Sequence, residues 1–334
     1  MKFCDKRLKA AFFASALLMA SAAEAETLRL STLDKPGSDG ANAAEAFAEL
    51  VKEKTGGRIE IAVYPASQLG DWTEVYNGVT FGAVDMAMQP LSTDSDRRLA
   101  ITWFPYTFTD YASAREALSA DGYITKIVDG IIAEQGLKLL ATYGAGMGGA
   151  VFAKDVDNPT DPDAKHNIKI RVWPGGTTHH ALMERFGFNV AVVPWAELYT
   201  GMQTGVVDGA IRGTPELALD NFKDIAKTWV QYNDHFEANY IFMNLKKFDG
   251  LDAADQAALV EAAQEIAARR FDEVAAADAA RLQQMKELGI NVVELTPDQL
   301  QAFAAVARTD VWPSISEEIG PDILKQLQEA TGSN

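Results

Sequence analysis

The chain has 334 residues, of which 48% are hydrophobic, 23% are charged and one is cysteine. This composition is typical of a globular protein and argues against a disordered chain, a collagen-like repeat and a disulfide scaffold. The formal net charge of −17 repels phosphate backbones and anionic lipid headgroups. We therefore expect a small solute or another protein as the partner, and no nucleic acid.

Residues 1–25 have the pattern of a secretory signal peptide. Four basic side chains precede residue 10, residues 10–23 are almost wholly apolar, and Ala23-Glu24-Ala25 provides a small-x-small cleavage site. The apolar run is shorter than the roughly 20 residues that span a bilayer, although a retained anchor is the alternative. Because Cys4 leaves with this segment, the exported protein has no disulfide, thiol nucleophile or cysteine-based metal site. We expect a periplasmic location.

Strand and helix patterns alternate in the first half of the remaining chain. They predict a strand at Leu28–Ser31, a helix at Ala41–Lys54, a strand at Ile59–Val63, a helix at Trp72–Phe81 and a strand at Asp85–Gln89. The same order returns later, with strands at Ile168–Val172, Asn189–Val193 and Asp208–Ile211 and helices at Thr178–Arg185 and Trp195–Thr204. This alternation predicts mainly parallel sheets covered by helices, an α/β fold.

Residues 72–88 and 195–211 are two copies of one unit. Trp, Glu, Tyr, Gly, Gly, Val, Asp and Ala recur at matching positions, 123 residues apart. Such a period is too long for a solenoid, so it predicts two related lobes; two similar helices by chance are the alternative.

Parallel sheets bind ligands beyond the carboxyl ends of their strands. Those ends carry Gln89-Pro90-Leu91 in one lobe, and Arg171-Val172-Trp173 with Arg212-Gly213-Thr214 in the other. We expect solute-binding residues there, and we add Trp72, which opens the first copy of the repeat.

A helical pattern of about 36 residues runs from Ala253 to Leu288, with Asp252 as N-cap and Gly289 as stop. At 1.5 Å per residue it is about 54 Å long, which exceeds one lobe, so we expect it to brace both. A coiled-coil arm is the alternative. Thr296-Pro297-Asp298-Gln299 then predicts a capping box at the start of a further helix.

Several strings are more specific than these patterns. They are residues 55–61 (TGGRIEI), 64–65 (YP), 68–70 (QLG), 82–86 (GAVDM), 169–171 (KIR) and 194–209 (PWAELYTGMQTGVVDG). Together they resemble the DctP-type periplasmic solute-binding proteins of TRAP transporters.

The resemblance implies a two-lobed periplasmic-binding-protein (clamshell) fold with a long bracing helix. We expect lobe 1 to comprise residues 26–148 plus about 239–277, and lobe 2 residues 149–238 plus about 278–334. The family captures an organic acid and delivers it to a small and a large membrane subunit, driven by an ion gradient. No enzymatic activity, cofactor or metal is expected.

The resemblance assigns Arg171 to the arginine that pairs with the solute carboxylate. The residues agree independently, because a charge at the end of an apolar strand is costly without a partner and a guanidinium matches a carboxylate bidentately. The helix start after Pro174-Gly175-Gly176 also favours an anion. A structural ion pair of Arg171 with an acidic neighbour is the alternative.

The sequence departs from the family at three places. Arg212 stands where the family has an acidic residue followed by Asn-Pro, so it is either a second cationic contact or a solvent-facing side chain. Residues 146–151 lack another arginine that many members carry. Trp173 replaces a small residue or proline, and is either a pocket wall or packing.

Two motifs suggest other functions. Residues 144–149 satisfy G-x-G-x-x-G, but the following residues look extended instead of helical, so we expect these glycines to let the chain cross between lobes. His179 and His180 point in different directions on a helix, and neither His166 nor His235 lies at ligand spacing, which makes a zinc site improbable.

Two further functional hypotheses stay open at this point. Glu74 and Glu197 are carboxylates of the kind used by a carbohydrate-active enzyme, although their repeated position favours a structural role. A periplasmic sensor subunit would share the fold and differ only in its partner.

Overall fold

The computed structural model describes residues 25–211 and 213–331. The predicted signal peptide, apart from Ala25, and Arg212 lie outside the described residues. Within those ranges, no helix combines the length and apolar character that a membrane span requires.

The described residues form eleven strands and twelve α-helices. The strands are β1 (Glu26–Thr32), β2 (Ile59–Tyr64), β3 (Met86–Gln89), β4 (Leu137–Met147), β5 (Ala150–Phe152), β6 (Lys169–Val172), β7 (Asn189–Val192), β8 (Gly209–Ile211), β9 (Thr228–Gln231), β10 (Phe236–Asn244) and β11 (Asn291–Glu294). The helices are α1 (Asp39–Thr55), α2 (Trp72–Thr80), α3 (Tyr111–Leu118), α4 (Tyr123–Ala133), α5 (Thr177–Arg185), α6 (Trp195–Gln203), α7 (Pro215–Phe222), α8 (Leu245–Asp249), α9 (Ala253–Glu287), α10 (Pro297–Val306), α11 (Trp312–Ile319) and α12 (Pro321–Thr331). A 3₁₀ helix covers Arg97–Trp103 and a π-helical turn covers Ala307–Val311.

The strands build two sheets, as the repeat predicts. The first has the order β2-β1-β3-β10-β4 and the second the order β11-β9-β5-β8-β6-β7. In each sheet three parallel strands come from one copy of the repeated region, and an antiparallel strand follows, β10 in the first sheet and β5 in the second. Strands β5 and β10 each come directly after a segment in which the chain passes from one sheet to the other. The lobe boundaries stay a prediction; β10 begins at Phe236 and pairs within the first sheet throughout.

The repeated Gly-x-Val-Asp sequence has the same role in both sheets. Asp85 Oδ2 accepts a hydrogen bond from the backbone N–H of Arg29 in β1, and Asp208 Oδ2 accepts one from Lys169 N at the start of β6, both at 2.8 Å. Glu74 closes a capping box at the start of α2. Its counterpart Glu197 lies in the first turn of α6, where no side chain caps the helix, so the capping role is not repeated.

Helix α9 packs against both lobes. Leu259, Ala263 and Ile266 belong to the core between α1 and the first sheet, whereas Leu282 and Met285 join the core of the second sheet. The helix has 35 residues and ends before Gly289, whose φ of +82° is a left-handed conformation that suits glycine. The predicted bracing helix is therefore confirmed, with its end one residue earlier. The capping box at Thr296 is also present.

The glycines at residues 148 and 149 allow the backbone to pass from β4 to β5. A Cβ on Gly148 would lie 2.3 Å from the His235 ring, and one on Gly149 would lie 2.6 Å from the Val230 carbonyl oxygen. The chain is extended from Ala150, so the G-x-G-x-x-G motif opens no helix, as the sequence predicts. Close packing of the two crossing segments requires these glycines.

We predict that Gly149→Ala destabilises the protein by roughly 1–3 kcal/mol, because the added methyl group overpacks the crossing. Gly130→Ala is the matched control: at this exposed position inside α4, an added Cβ would have no atom within 4 Å. There alanine should stabilise by about 0.5–1 kcal/mol. Urea unfolding of both variants measures the difference; equal midpoints would contradict the packing requirement.

Candidate ligand-binding site

A small cavity lies between the two lobes, where the carboxyl ends of their parallel strands meet. Its volume is about 20 Å³, and its lining combines aromatic, acidic and amide side chains from both lobes. The residues are Leu33, Asp34, Gly40, Trp72, Tyr143, Ala145, Trp195, Thr214, Glu216, Leu217, Glu237 and Asn239. A solute of several carbon atoms needs more room than this, so the lobes must part for it to enter.

The lobes contact each other around the cavity. Glu216 Oε1 on α7 accepts a hydrogen bond from Asp39 N at the start of α1 (2.6 Å). Lys35 Nζ donates to the Asp220 carbonyl oxygen (3.0 Å), and Thr93 Oγ1 donates to the Gly175 carbonyl oxygen (3.1 Å). These bonds between lobes describe a closed cleft.

Arg171 lies near this cavity and is completely buried. It occupies β6, and its Nε donates to the Val193 carbonyl oxygen at 2.8 Å, which fixes the plane of the guanidinium. The guanidinium carbon is 5.9 Å from the centre of the Trp195 ring, and Trp195 lines the cavity. A buried, oriented guanidinium at this position has the geometry to bind a carboxylate.

Three indoles form a cluster that spans the lobes. The Trp72 and Trp103 rings are 6.1 Å apart and nearly perpendicular, and Trp103 meets Trp173 at 5.2 Å. Trp72 lines the cavity, whereas Trp173 is 1% exposed and packs against His179 at 4.9 Å. In this closed arrangement Trp173 is not among the residues that line the cavity.

The other predicted site residues have distinct places. Gln89 is buried and donates from Nε2 to the Trp72 carbonyl oxygen (2.5 Å), so it holds the start of α2. Pro90 is buried directly after β3. Thr214 lines the cavity and accepts a hydrogen bond from Leu217 N (3.3 Å), which caps α7. Arg212 lies outside the described residues.

Acidic side chains are abundant in the cavity wall. Burial raises the pKa of Asp34 to about 6, and the nearby carboxylates of Asp220 and Glu237 add to this effect. Burial and the neighbouring Asp39 raise the pKa of Glu216 to about 7. Glu237 is 1% exposed on β10. The cavity is thus a region of negative potential near a buried arginine.

A buried series of hydrogen bonds runs from residues 234–235, where the chain passes between the lobes, to Glu237 in the cavity wall. Asp234 Oδ2 accepts from His179 Nε2 (2.9 Å) and from His235 Nδ1 (2.7 Å), and His235 Nε2 donates to Glu237 (3.0 Å). Although burial opposes it, the two carboxylates raise the pKa of His235 to about 9, so its ring is charged at neutral pH. Burial lowers the pKa of His179, whose ring is neutral. The Glu237 carboxylate is therefore paired with the charged imidazolium ring of His235.

Comparison with known proteins identifies the family. The family model of the bacterial extracellular solute-binding proteins, family 7 (DctP), matches residues 30–318. The chain belongs to this family. The predicted resemblance and the two-lobed α/β fold are confirmed.

Two relatives and a solved structure are similar to this chain over most of its length. The chain is 28% identical over 296 residues to the 2,3-diketo-L-gulonate-binding periplasmic protein YiaO of Escherichia coli, covering 86% of this chain and 87% of the relative. It is 25% identical over 321 residues to the C4-dicarboxylate-binding periplasmic protein DctP of Rhodobacter capsulatus (95% and 94% covered). A TRAP periplasmic solute-binding protein of Chromohalobacter salexigens with bound D-glucuronate shares the fold at 21% identity, with a TM-score of 0.82 over 92% of this chain and 100% of that chain.

Sequence reasoning missed all three acids of the cavity wall and the hydrogen-bonded histidines. Asp34 follows the first strand, so the rule that ligands bind beyond strand ends could have found it. His179 and His235 are far apart in the sequence, and their spacing gave no reason to connect them, yet their ring centres are 5.1 Å apart. The side chains of His179, Asp234 and His235 lie within 4.8 Å of one another, and direct hydrogen bonds hold them together.

We predict that Asp34→Asn flattens the pH dependence of stability in the ligand-free protein. The folded carboxyl keeps its proton up to about pH 6, whereas the ordinary pKa of an aspartate is 3.8, so the native state binds more protons in between. The free energy of unfolding therefore falls as pH rises from about 4 to 6, by about 3 kcal/mol from this group.

Urea unfolding at a series of pH values measures that slope in wild type and in Asp34→Asn. Asp121→Asn removes a carboxylate that is fully exposed and serves as the control. The same slope in wild type and Asp34→Asn, or an equal reduction in Asp121→Asn, would contradict the assignment.

Proposed function

We propose that this protein is the extracytoplasmic solute-binding subunit of a TRAP transporter and that it captures a carboxylated organic solute between its lobes. Family membership supports this function, and the named relatives bind 2,3-diketo-L-gulonate and C4-dicarboxylates, which are organic acids. The family and fold are those of binding proteins. We propose that the chain has no catalytic activity of its own.

The observation that carries the proposal is the position of Arg171. Its side chain has no exposed surface, yet it lies at the carboxyl end of a parallel strand beside a residue that lines the cleft. Desolvating a guanidinium is costly, and a carboxylate that offers two acceptor oxygens offsets that cost best. The bond from Nε to Val193 sets the orientation before the solute arrives. Arg171 thus provides a preorganised carboxylate site.

The remaining predicted contacts extend this site. Trp72 and Thr214 line the cavity and would meet the solute body, whereas Gln89 holds the Trp72 backbone in place. We propose contacts from Trp173, Pro90 and Arg212 on the basis of their positions at strand ends.

The location and partners follow from the same function. The N-terminal pattern supports export to the periplasm, and the two named relatives are periplasmic proteins. Closure around the solute changes the surfaces that both lobes present, so we propose that the small and large membrane subunits recognise the closed form.

The function is tested by a thermal-shift screen of residues 26–334 against a broad panel of carboxylates, with matched alcohols and amides as controls. A ligand at 100 times its dissociation constant stabilises by about 2.7 kcal/mol and raises the midpoint by several degrees. We expect hits only among the acids. Absence of any acid response, in protein refolded to remove carried-over ligand, would refute the proposal.

We predict that Arg171→Gln weakens binding of the best acid at least tenfold, which is about 1.4 kcal/mol, because the bidentate contact is lost. Arg115→Gln is the control, because the half-exposed side chain of Arg115 on α3 only forms an ion pair with Asp272 at the surface. This substitution should leave the affinity unchanged. Isothermal titration calorimetry measures both variants. Wild-type affinity in a folded Arg171→Gln protein would rule out this arginine as the carboxylate partner.

A further inference from the structure

We propose that the solute is a zwitterion: besides the carboxylate held by Arg171 it carries an ammonium group, and Asp34 is the residue that pairs with that group. The inference rests on the proposed function and names its substrate class. It starts from Asp34, a buried carboxyl group in the wall of the cleft.

Asp34 is 9% exposed and lines the cavity two residues after the end of β1. Thr32 Oγ1 donates to its Oδ2 at 2.9 Å, and Asn239 Nδ2 donates to the same oxygen at 3.4 Å. Among the described residues, none donates a hydrogen bond to Oδ1. One oxygen is thus anchored while the other is available to a ligand.

The local structure makes room for this carboxyl group. A Cβ on Gly40, at the start of α1, would lie 2.3 Å from Asp34 Oδ2. Only a residue without a side chain allows the carboxyl to lie there. The position of Asp34 is therefore set by the turn between β1 and α1 as well as by its hydrogen bonds.

The other two acids of the wall have cationic partners. Glu216 lies 3.7 Å from the Arg270 guanidinium, and Glu237 accepts from the charged ring of His235 at 3.0 Å. Within residues 25–211 and 213–331, Asp34 makes no salt bridge with a cationic side chain; Arg270, which pairs with Asp39 and Glu216, acts on Asp34 only through space. A buried carboxylate is costly without an opposite charge. Asp34 is thus the acid whose counter-charge the ligand would supply.

The rest of the wall suits a cation better than a neutral hydroxyl group. An ammonium group can neutralise the Asp34 carboxylate, which lacks a cationic salt-bridge partner among the described residues, whereas a hydroxyl group cannot. Aromatic side chains of Trp72, Trp195 and Tyr143 line the same cavity, and ring faces attract cations. The volume of about 20 Å³ holds one group of the size of water or ammonium.

The experiment compares acids that differ only in the second group. The probes are amino acids and hydroxy acids of equal chain length: alanine and lactate, β-alanine and 3-hydroxypropanoate, 4-aminobutanoate and 4-hydroxybutanoate, 5-aminopentanoate and 5-hydroxypentanoate. Calorimetry of refolded wild-type protein should show that the amino member of the best-binding pair binds at least tenfold more tightly than its hydroxy partner.

Two variants then separate Asp34 from a general effect of charge. Asp34→Asn keeps the size and the acceptor for Thr32, and should reduce the preference for the amino member to within twofold. Asp220→Asn removes a carboxylate that acts on Asp34 through space but lies outside the cavity wall, and should retain most of the preference. Arg171→Gln should weaken both members of the pair alike, since both carry the carboxylate.

The outcomes distinguish the inference from the function on which it rests. If hydroxy or polyhydroxy acids bind as tightly as amino acids, or if Asp34→Asn weakens both members of a pair equally, the zwitterion assignment is overturned while the carboxylate-binding function stands. The same holds if acids outside these pairs bind and no amino acid does. If no carboxylate binds at all, the proposed function itself fails.

Discussion

The closed arrangement of the two lobes depends on the buried guanidinium of Arg270. It donates from Nε and Nη2 to the carbonyl oxygens of Gly144 and Ala145 near the end of β4, and from Nη1 to Asp39 at the start of α1. Glu216 at the start of α7 lies 3.7 Å away and also accepts from Asp39 N. A buried charge must be surrounded by acceptors. Arg270 on α9 therefore contacts the end of β4 and the starts of α1 and α7, which belong to both lobes. Glu216 also lines the cavity, so this cluster of charges lies directly beside the cleft.

Buried hydrogen bonds between charged side chains also link the segments that cross between the lobes to the cleft. The chain passes from the first sheet to the second at Gly148 and returns just before β10, and on that return Asp234 and His235 carry the buried hydrogen bonds that end at Glu237. A strand that belongs to the crossing therefore also forms part of the solute wall. Any change of angle between the lobes moves Glu237 relative to α7, and a solute that fixes Glu237 in turn restrains the crossing. Residues next to the crossing thus also form part of the cavity wall. This connection links solute binding to selection of the closed form.

The fold could be predicted from the sequence to a large extent because its signals are local. Alternating apolar residues, proline after strands and the two copies of the Trp-Glu-Tyr-Gly unit predict the elements of the two repeated regions within about two residues of their observed ends, and the helical period predicts α9. Strands β4, β9, β10 and β11 and several helices were not predicted, because they lie outside the repeat. The family resemblance assigns Arg171, and a charge at the end of an apolar strand favours the same residue; its role stays a proposal. Asp34, Glu216 and Asn239 carry no such signal, because they lie in a turn, a helix and a strand from distant parts of the chain. The pairing of strands in the first sheet brings Asn239 to Asp34, and the contact between the lobes adds Glu216. The pairing of His179 with His235 through Asp234 is likewise a consequence of the crossing, which no spacing rule describes.

The free-energy cost of desolvating Asp34 links the selection of a solute to the closure of the cleft. The rise of its pKa to about 6 is caused mainly by burial, and the residues around it come both from β10 in its own sheet and from α7 in the other lobe. Withdrawal of α7 in an open cleft would expose this carboxyl to more water, so closing an empty cleft at neutral pH bears part of its desolvation cost, which is at most about 3 kcal/mol from the difference in pKa. A solute ammonium offsets that cost, whereas an acid without a cation leaves it in place. A cost of that size would shift a two-state equilibrium by up to roughly a hundredfold, so such acids would bind Arg171 in an open lobe and close the cleft less often. Under the proposal, selection of the zwitterion occurs at this closing step.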